Sequence, residues 1–365
     1  LIGGDFIFNS SASVNAGSST AGIDVARSRS TDTLDLGGDL TNTELGRLTA
    51  ASGTITLGRA TTAGSNGLGT GASTITNSSV DISSDLTIAG ANAAAVTVLA
   101  TNGINMTKDL TTSDAVTVNA DTDANGTGDL DVGSGDTITT NGTTLSITAN
   151  DLILNTGSGL RLDSGAAATT IVVSDGGTIG LGATAGGLTI TSTELAKIAA
   201  TSLTLGNGTN GNITVDGIAA ADSNGISGTL TLNATGSTRD VSFSNTASTF
   251  NTLTVNANDA ITVGVAVTTD TGAATLVGGT IASNATLTAA GLNVSFTANT
   301  GNITDGNGAS ANVVSDTLTV SSVTGIDLDT TITTLTSATV SGTGAIDVSD
   351  TSGGLTVTSA TTTDG

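Results

Sequence analysis

Proline, cysteine, histidine, tryptophan and tyrosine are all absent from this 365-residue chain, which carries one methionine and five phenylalanines. Each absence removes an option. Without proline every residue keeps its backbone N–H, so hydrogen-bonded ladders can run uninterrupted. Without cysteine there is no disulfide framework and no thiol chemistry, although a surface location stays open to a chain with a long core. Without histidine the commonest general base and metal ligand is missing. Without tryptophan or tyrosine there is little to stack on sugar rings or bases. Basic residues are scarce too: eight Lys and Arg stand against 31 Asp and Glu, a formal net charge of −23. Phosphate binding needs concentrated Lys and Arg, so no nucleic-acid partner is expected. A surface this acidic suits surroundings rich in divalent cations. No apolar run reaches the roughly 18 residues of a transmembrane span.

What remains is a restricted alphabet of Thr, Ala, Gly, Asn, Ser, Asp, Leu, Val and Ile, with 50 glycines. Low complexity suggests disorder, but the mean hydropathy is positive at +0.25 and the aliphatics are ordered. They recur as apolar–polar–apolar triplets closed by Gly, Asn, Asp or Ser. Leu86/Ile88, Val116/Val118, Leu130/Val132, Leu145/Ile147, Leu203/Leu205, Leu230/Leu232, Leu253/Val255 and Ile346/Val348 are examples. This is the signature of short strands between turns.

A sandwich or antiparallel barrel would need larger core residues and more individual strands. Small uniform aliphatics suit the narrow core of stacked coils, with Gly and Asn at the corners. The expected fold is therefore all-β: a parallel β-helix (β-solenoid), right-handed by the crossover rule, of roughly 14–18 coils with short helical-turn insertions. A longer repeat overlies the coils. Thr-x-x-Glu-Leu-Gly-Arg-Leu-Thr-Ala…Ile-Thr-Leu-Gly at 41–58 returns as Thr-x-x-Glu-Leu-Ala-Lys-Ile-Ala-Ala…Leu-Thr-Leu-Gly at 191–206. One continuous solenoid over 1–365 is expected, with super-repeats at approximately 38–187 and 188–345. The chain opens at Leu1 with no basic leader and closes mid-pattern, and is read as an excerpt of something longer.

The two glutamates of the chain, Glu44 and Glu194, both lie in this motif. Thr41 and Thr191 stand three residues earlier, at capping-box spacing. Arg47 and Lys197 follow three residues later, within reach of a same-face pair. A single helical turn is expected at each site, seated by Leu45 with Leu48 and by Leu195 with Ile198. Its role is a register-restoring insertion or a docking knob for a neighbouring fibre.

The Thr-Glu-Leu-x-(Arg/Lys)-(Leu/Ile)-x-Ala…Leu-Thr-Leu-Gly strings resemble giant filamentous-haemagglutinin-type surface proteins of Gram-negative bacteria. So do Asp121-Thr122-Asp123-Ala124-Asn125-Gly126 and the run from Ile138 to Ala149. The resemblance covers most of the chain and rests on low-complexity letters. It implies β-helical rods exported to the cell surface, acting as extracellular fibres or sheaths, or as adhesin stalks for host or surface ligands. Self-association, end to end and laterally, is the implied partnership. The secretion signature of such proteins is not present in these residues.

For metal, the best candidate is Asp121-x-Asp123-x-Asn125-Gly126-x-x-Asp129, the opening of a Ca²⁺ loop. Val132 stands where the bidentate glutamate belongs, so an Asx-rich turn competes with calcium. No other cofactor is expected. Catalysis would have to come from paired carboxylates such as Asp121/Asp123, Asp129/Asp131 or Asp327/Asp329. With no histidine or sugar-holding aromatics beside them, the expectation is no enzyme, a carbohydrate-active β-helix being the remote alternative. Thr-x-Thr pairs recur at Thr54/Thr56, Thr74/Thr76, Thr189/Thr191, Thr229/Thr231, Thr252/Thr254, Thr286/Thr288, Thr317/Thr319 and Thr356/Thr358. Aligned columns of such pairs serve ice-binding solenoids, but the irregular spacing here argues against one column. The glycine-rich run 64–71 lacks the Gly-Lys-Ser/Thr of a phosphate loop.

Overall fold

The computed structural model describes residues 2–3, 12–16, 22–27, 33–58, 78–88 and 92–363. The Thr74/Thr76 pair and the glycine-rich run 64–71 lie outside them. The chain forms two compact units, the first comprising Leu1–Asp175 with Lys197–Thr201, the second Gly176–Ala196 with Ser202–Gly365. Both are parallel β-helices, as the triplets predict.

In the first unit three parallel ladders run side by side. One stacks Leu34–Leu36, Val80–Ile82, Ile104–Met106, Leu130–Val132 and Leu152–Leu154. A second stacks Leu86–Ile88, Leu110–Thr112, Ile138–Thr139, Leu162–Asp163 and Ile198–Ala199. The third takes the longer strands Ile23–Arg27, Leu48–Gly58, Ala93–Leu99, Ala115–Asn119, Leu145–Ala149 and Ala168–Val173. Alternation turns the outer residues of each triplet inward, where like stacks on like. Val80, Ile104, Leu130 and Leu152 form one such column, each at most 2% exposed. Each of these side chains contributes on the order of 1.5–3 kcal/mol by leaving water.

The second unit has the same logic. Its first ladder registers Ile179, Ile213, Val241, Ile261, Ile281, Ile303, Ile326 and Ile346 on successive coils. A neighbouring ladder registers Leu203, Leu230, Leu253, Ala274, Val294, Leu318 and Leu335. Phe243, Phe250 and Phe296 are wholly enclosed.

The super-repeat has a local structural counterpart. The helical turns α1 (Asn42–Leu45) and α2 (Ser192–Leu195) each carry a complete capping box. Thr191 Oγ1 accepts from the Glu194 N–H at 3.2 Å, and the Glu194 carboxylate accepts from the Thr191 N–H at 2.9 Å. Leu45, Leu48, Leu195 and Ile198 are buried, as expected. A Thr-Leu-Gly follows each turn, closing the strand Leu48–Gly58 after α1 and running just past the strand Ser202–Leu205 after α2, and both glycines are required. Gly58 (φ 89°) and Gly206 (φ 82°) adopt left-handed backbone, and a Cβ would meet the Leu99 carbonyl oxygen at 2.0 Å or the Asn233 carbonyl oxygen at 2.6 Å.

A third turn, α3 (Ala220–Ser223), is not anticipated by the sequence motif. It follows α2 by 28 residues, with Ile218, Ser223 and Ile226 where the α2 segment has Ile190, Leu195 and Ile198. Only half of the box survives: Asp222 accepts from the Ala219 N–H at 2.9 Å, but Ala219 has no oxygen to return the bond. Ser223, buried in place of a leucine, donates to the carbonyls of Ala220 and Thr249.

Candidate functional site

The polar features of the first unit concentrate around the turn after Ala115–Asn119 and the outward side of the ladder that contains Leu130–Val132. Asp121 begins the turn and is 1% exposed. Its carboxylate accepts from the backbone N–H of Asn125 at 3.3 Å and of Gly126 at 3.1 Å. It also accepts from the Ser174 hydroxyl at 2.6 Å, so the turn is tied to a coil 53 residues further along. Ala124 and Gly126 both take positive φ, the conformation that aims these N–H groups at one carboxylate. Asn125 donates to Asp123 at 2.9 Å. Burial raises the Asp123 carboxyl above its ordinary range, and a hydrogen bond to Asp121 and that residue's negative charge push the same way.

Of the four candidate calcium ligands, Asp121, Asp123 and Asn125 are thus brought into one turn. Asp129 faces elsewhere: its Oδ1 accepts from Asn150 at 2.9 Å and from the Asp151 N–H at 3.1 Å. Among the described residues no group of three or more His, Cys, Asp or Glu stands together as a metal site. The turn is organised by Asx hydrogen bonds within the protein.

Cross-strand register assembles a second arrangement. Asp35, Asp81, Asn105, Asp131 and Ile153 occupy the same outward position on five successive rungs. Asp81 and Asp131 are separated by Asn105, hence by two rungs or about 9.6 Å of backbone. With Asp129, Ser79, Asn102 and Thr127 they line an open groove of about 240 Å³. Burial raises the Asp131 carboxyl, a hydrogen bond from Asn155 opposes this, and the Asp129 charge adds to the rise. The groove presents carboxylate and amide groups and no lysine, arginine or aromatic ring.

The basic partners of the super-repeat motif have local roles. The Lys197 ammonium donates to the Gly157 carbonyl, and the Lys197 carbonyl accepts from the Arg161 N–H at 2.9 Å. Arg47 N–H donates to the Glu44 carbonyl at 3.0 Å, closing α1. Arg161 itself, wholly buried, is a feature the sequence reading passed over: its guanidinium donates to the carbonyls of Asn155, Ser158 and Leu160 and folds that loop around itself.

In keeping with their irregular spacing, the threonine pairs do not align as one column of pairs. Among the described residues only Thr229/Thr231 and Thr252/Thr254 register together, and a rank of single residues forms instead. In the second unit Thr204, Thr231, Thr254, Thr275, Ser295 and Thr319 align in one unbroken outward rank. Loops of unequal length between coils absorb the irregularity. Thr288 belongs to a different ladder, beside Thr268 and Val314.

No protein family, curated protein or solved structure matches the chain. The likeness to filamentous-haemagglutinin-type proteins therefore rests on the sequence strings. Among the described residues no helix is long and apolar enough to cross a membrane.

Proposed function

We propose that this chain is a structural segment of an extracellular surface fibre, filament or sheath, of the filamentous-haemagglutinin type found on Gram-negative bacteria. The supporting observation is the ladder itself. Leu130↔Leu152 and Ile261↔Ile281 are two of many contacts in which a coil pairs with a near-equivalent coil along one direction. Such a stack propagates by repetition, each coil burying its faces against its neighbours. No chemistry is proposed for it: two of the groove's carboxylates are held by amides, Asp131 by Asn155 and Asp129 by Asn150.

Electron microscopy of the native material tests the reading. Thin filaments or a fibrous coat, labelled by an antibody to this segment, are expected. Discrete compact particles, or label confined within the cell, would overturn it. A polysaccharide panel tests the enzymatic alternative, and sugar release lost on Asp129→Asn and Asp131→Asn would revive it.

A further inference from the structure

The acidic residues of the second unit are unevenly placed. The ladder through Ile213, Val241 and Ile346 carries Asp216, Asp305, Asp327, Asp329, Asp347 and Asp350 on or at the end of its strands. The neighbouring ladder is different. Ser202–Leu205, Thr229–Ala234, Thr252–Ala257, Ala274–Gly278 and Thr334–Val340 contain no charged residue, nor do 293–298 and 317–322, the exposed Asp316 standing at the near edge of the last on the strand Val313–Ser322. The outward middle positions of six successive strands are Thr204, Thr231, Thr254, Thr275, Ser295 and Thr319. All are partly exposed, and none of their hydroxyls bonds another side chain among the described residues. On a protein with a net charge of −23 this is a neutral, regularly ruled face.

We propose that this face is the surface through which two copies of the chain associate sideways, a proposal that rests on the fibre reading and names its lateral contact. Charge supports a second copy as the occupant. Any approach through the aspartate-bearing ladder brings like charges together, whereas the threonine face lets two acidic molecules meet with their charges turned away. Size supports it as well. Seven rungs about 4.8 Å apart with strands about 17–20 Å long bury roughly 1,100–1,300 Å² between two copies, the lower bound of a specific interface. Ranks of β-branched methyls can interdigitate across such a contact while hydroxyls pair between copies. The two copies present the same face to each other, as a two-fold pair requires. In a fibre the contact recurs along the length, so a weak pairing becomes a strong one by repetition.

Sedimentation velocity of the unmodified chain over concentrations up to about 1 mM tests the proposal. Reversible association is expected, strengthened by NaCl as the acidic ladders are screened, with CaCl2 at equal ionic strength adding nothing. Thr231→Asp with Thr254→Asp is expected to weaken association at least tenfold, while Thr231→Ser with Thr254→Ser and an off-face Thr262→Asp change it little. Circular dichroism confirms folding, and the salt series on the unmodified protein decides the matter if the aspartate variant does not fold. A monomer at all concentrations, association abolished by a chelator, or association indifferent to the aspartates would overturn the proposal. So would thermal hysteresis lost in the aspartate variant of a monomeric chain, which would assign the face to ice. Single unbundled filaments in micrographs would remove this contact and leave the fibre reading intact.

Discussion

Asp216 and Asp327 show how one residue type, set in the same ladder, acts with opposite signs. Hydrogen bonds from Asn245 (2.9 Å) and Thr246 (3.0 Å) hold the Asp216 carboxyl below its ordinary range, the first of them outweighing its burial. Asp327 is raised, by burial first and then by the charges of Asp305, Asp347 and Asp329. A lowered folded pKa supplies stability above the unfolded value of 3.8 that is lost as pH falls through the folded value. A raised one does the reverse: the advantage of the protonated form is complete below 3.8 and disappears as pH rises through the folded value. Asp216→Asn is therefore expected to lower stability at pH 7 by about 1–2 kcal/mol, with the loss shrinking in acid. Asp327→Asn is expected to raise stability slightly at pH 7, solvent screening of this exposed group keeping the gain small, and to be neutral near pH 3, since it removes like charges on adjacent rungs. Urea titrations of the two variants at both pH values check the signs. Asp121 is a third case, because it satisfies two backbone donors and Ser174 at once. Asp121→Ala is expected to cost about 2–4 kcal/mol with or without added calcium, and a loss appearing only when calcium is present would reinstate the metal loop.

At the scale of elements, the three helical turns form a graded series in capping. Thr41 and Thr191 close the box from both sides, while Ala219 leaves it half made. Thr191→Ala is expected to cost about 1 kcal/mol, and Ala219→Thr to add about 0.5–1 kcal/mol, both measurable as shifts of the urea midpoint at unchanged m-value. The first two turns were legible in the sequence because Thr, Glu and the flanking leucines stand at diagnostic spacing. The third was not, since alanine replaces the cap and serine the buried leucine, although Asp222 and the 28-residue return of Ile190 and Ile198 as Ile218 and Ile226 were visible in principle. The strands were legible for a simple reason: Leu130, Val132 and their counterparts alternate with polar residues and are all buried. Cross-strand register was not. Coils of unequal length decide whether Asp81 lies beside Asn105, or Thr231 beside Thr254, and those lengths leave no mark in any single triplet. The acidic groove and the threonine rank are products of register, which is why residue spacing alone missed both, although it excluded a column of Thr-x-Thr pairs.

Over the whole molecule the governing quantity is charge. Eight cations cannot neutralise 31 carboxylates, and one of the eight, Arg161, is enclosed and spent on carbonyls. The remaining excess opposes the compact state by self-repulsion, an effect that the unfolded chain relieves by spreading its charges apart. Screening acts on this term and leaves the aliphatic core untouched. Raising NaCl from about 10 mM to about 150 mM shortens the Debye length from about 30 Å to about 8 Å, so repulsion between aspartates on separate coils is largely removed. The thermal midpoint is expected to rise by several degrees over that range. The form of the aspartate columns decides what calcium does in addition. In the groove Asn105 separates Asp81 from Asp131, while Asn155 and Asn150 engage Asp131 and Asp129. Asp35 with Asp81 and Asp327 with Asp347 do meet on adjacent rungs, but among the described residues no three carboxylates stand together to hold an ion. CaCl2 at matched ionic strength is therefore expected to match NaCl within about a degree, acting through the field alone. A distinctly higher midpoint in calcium, abolished by Asp81→Asn or Asp131→Asn, would show instead that the groove gathers a cation.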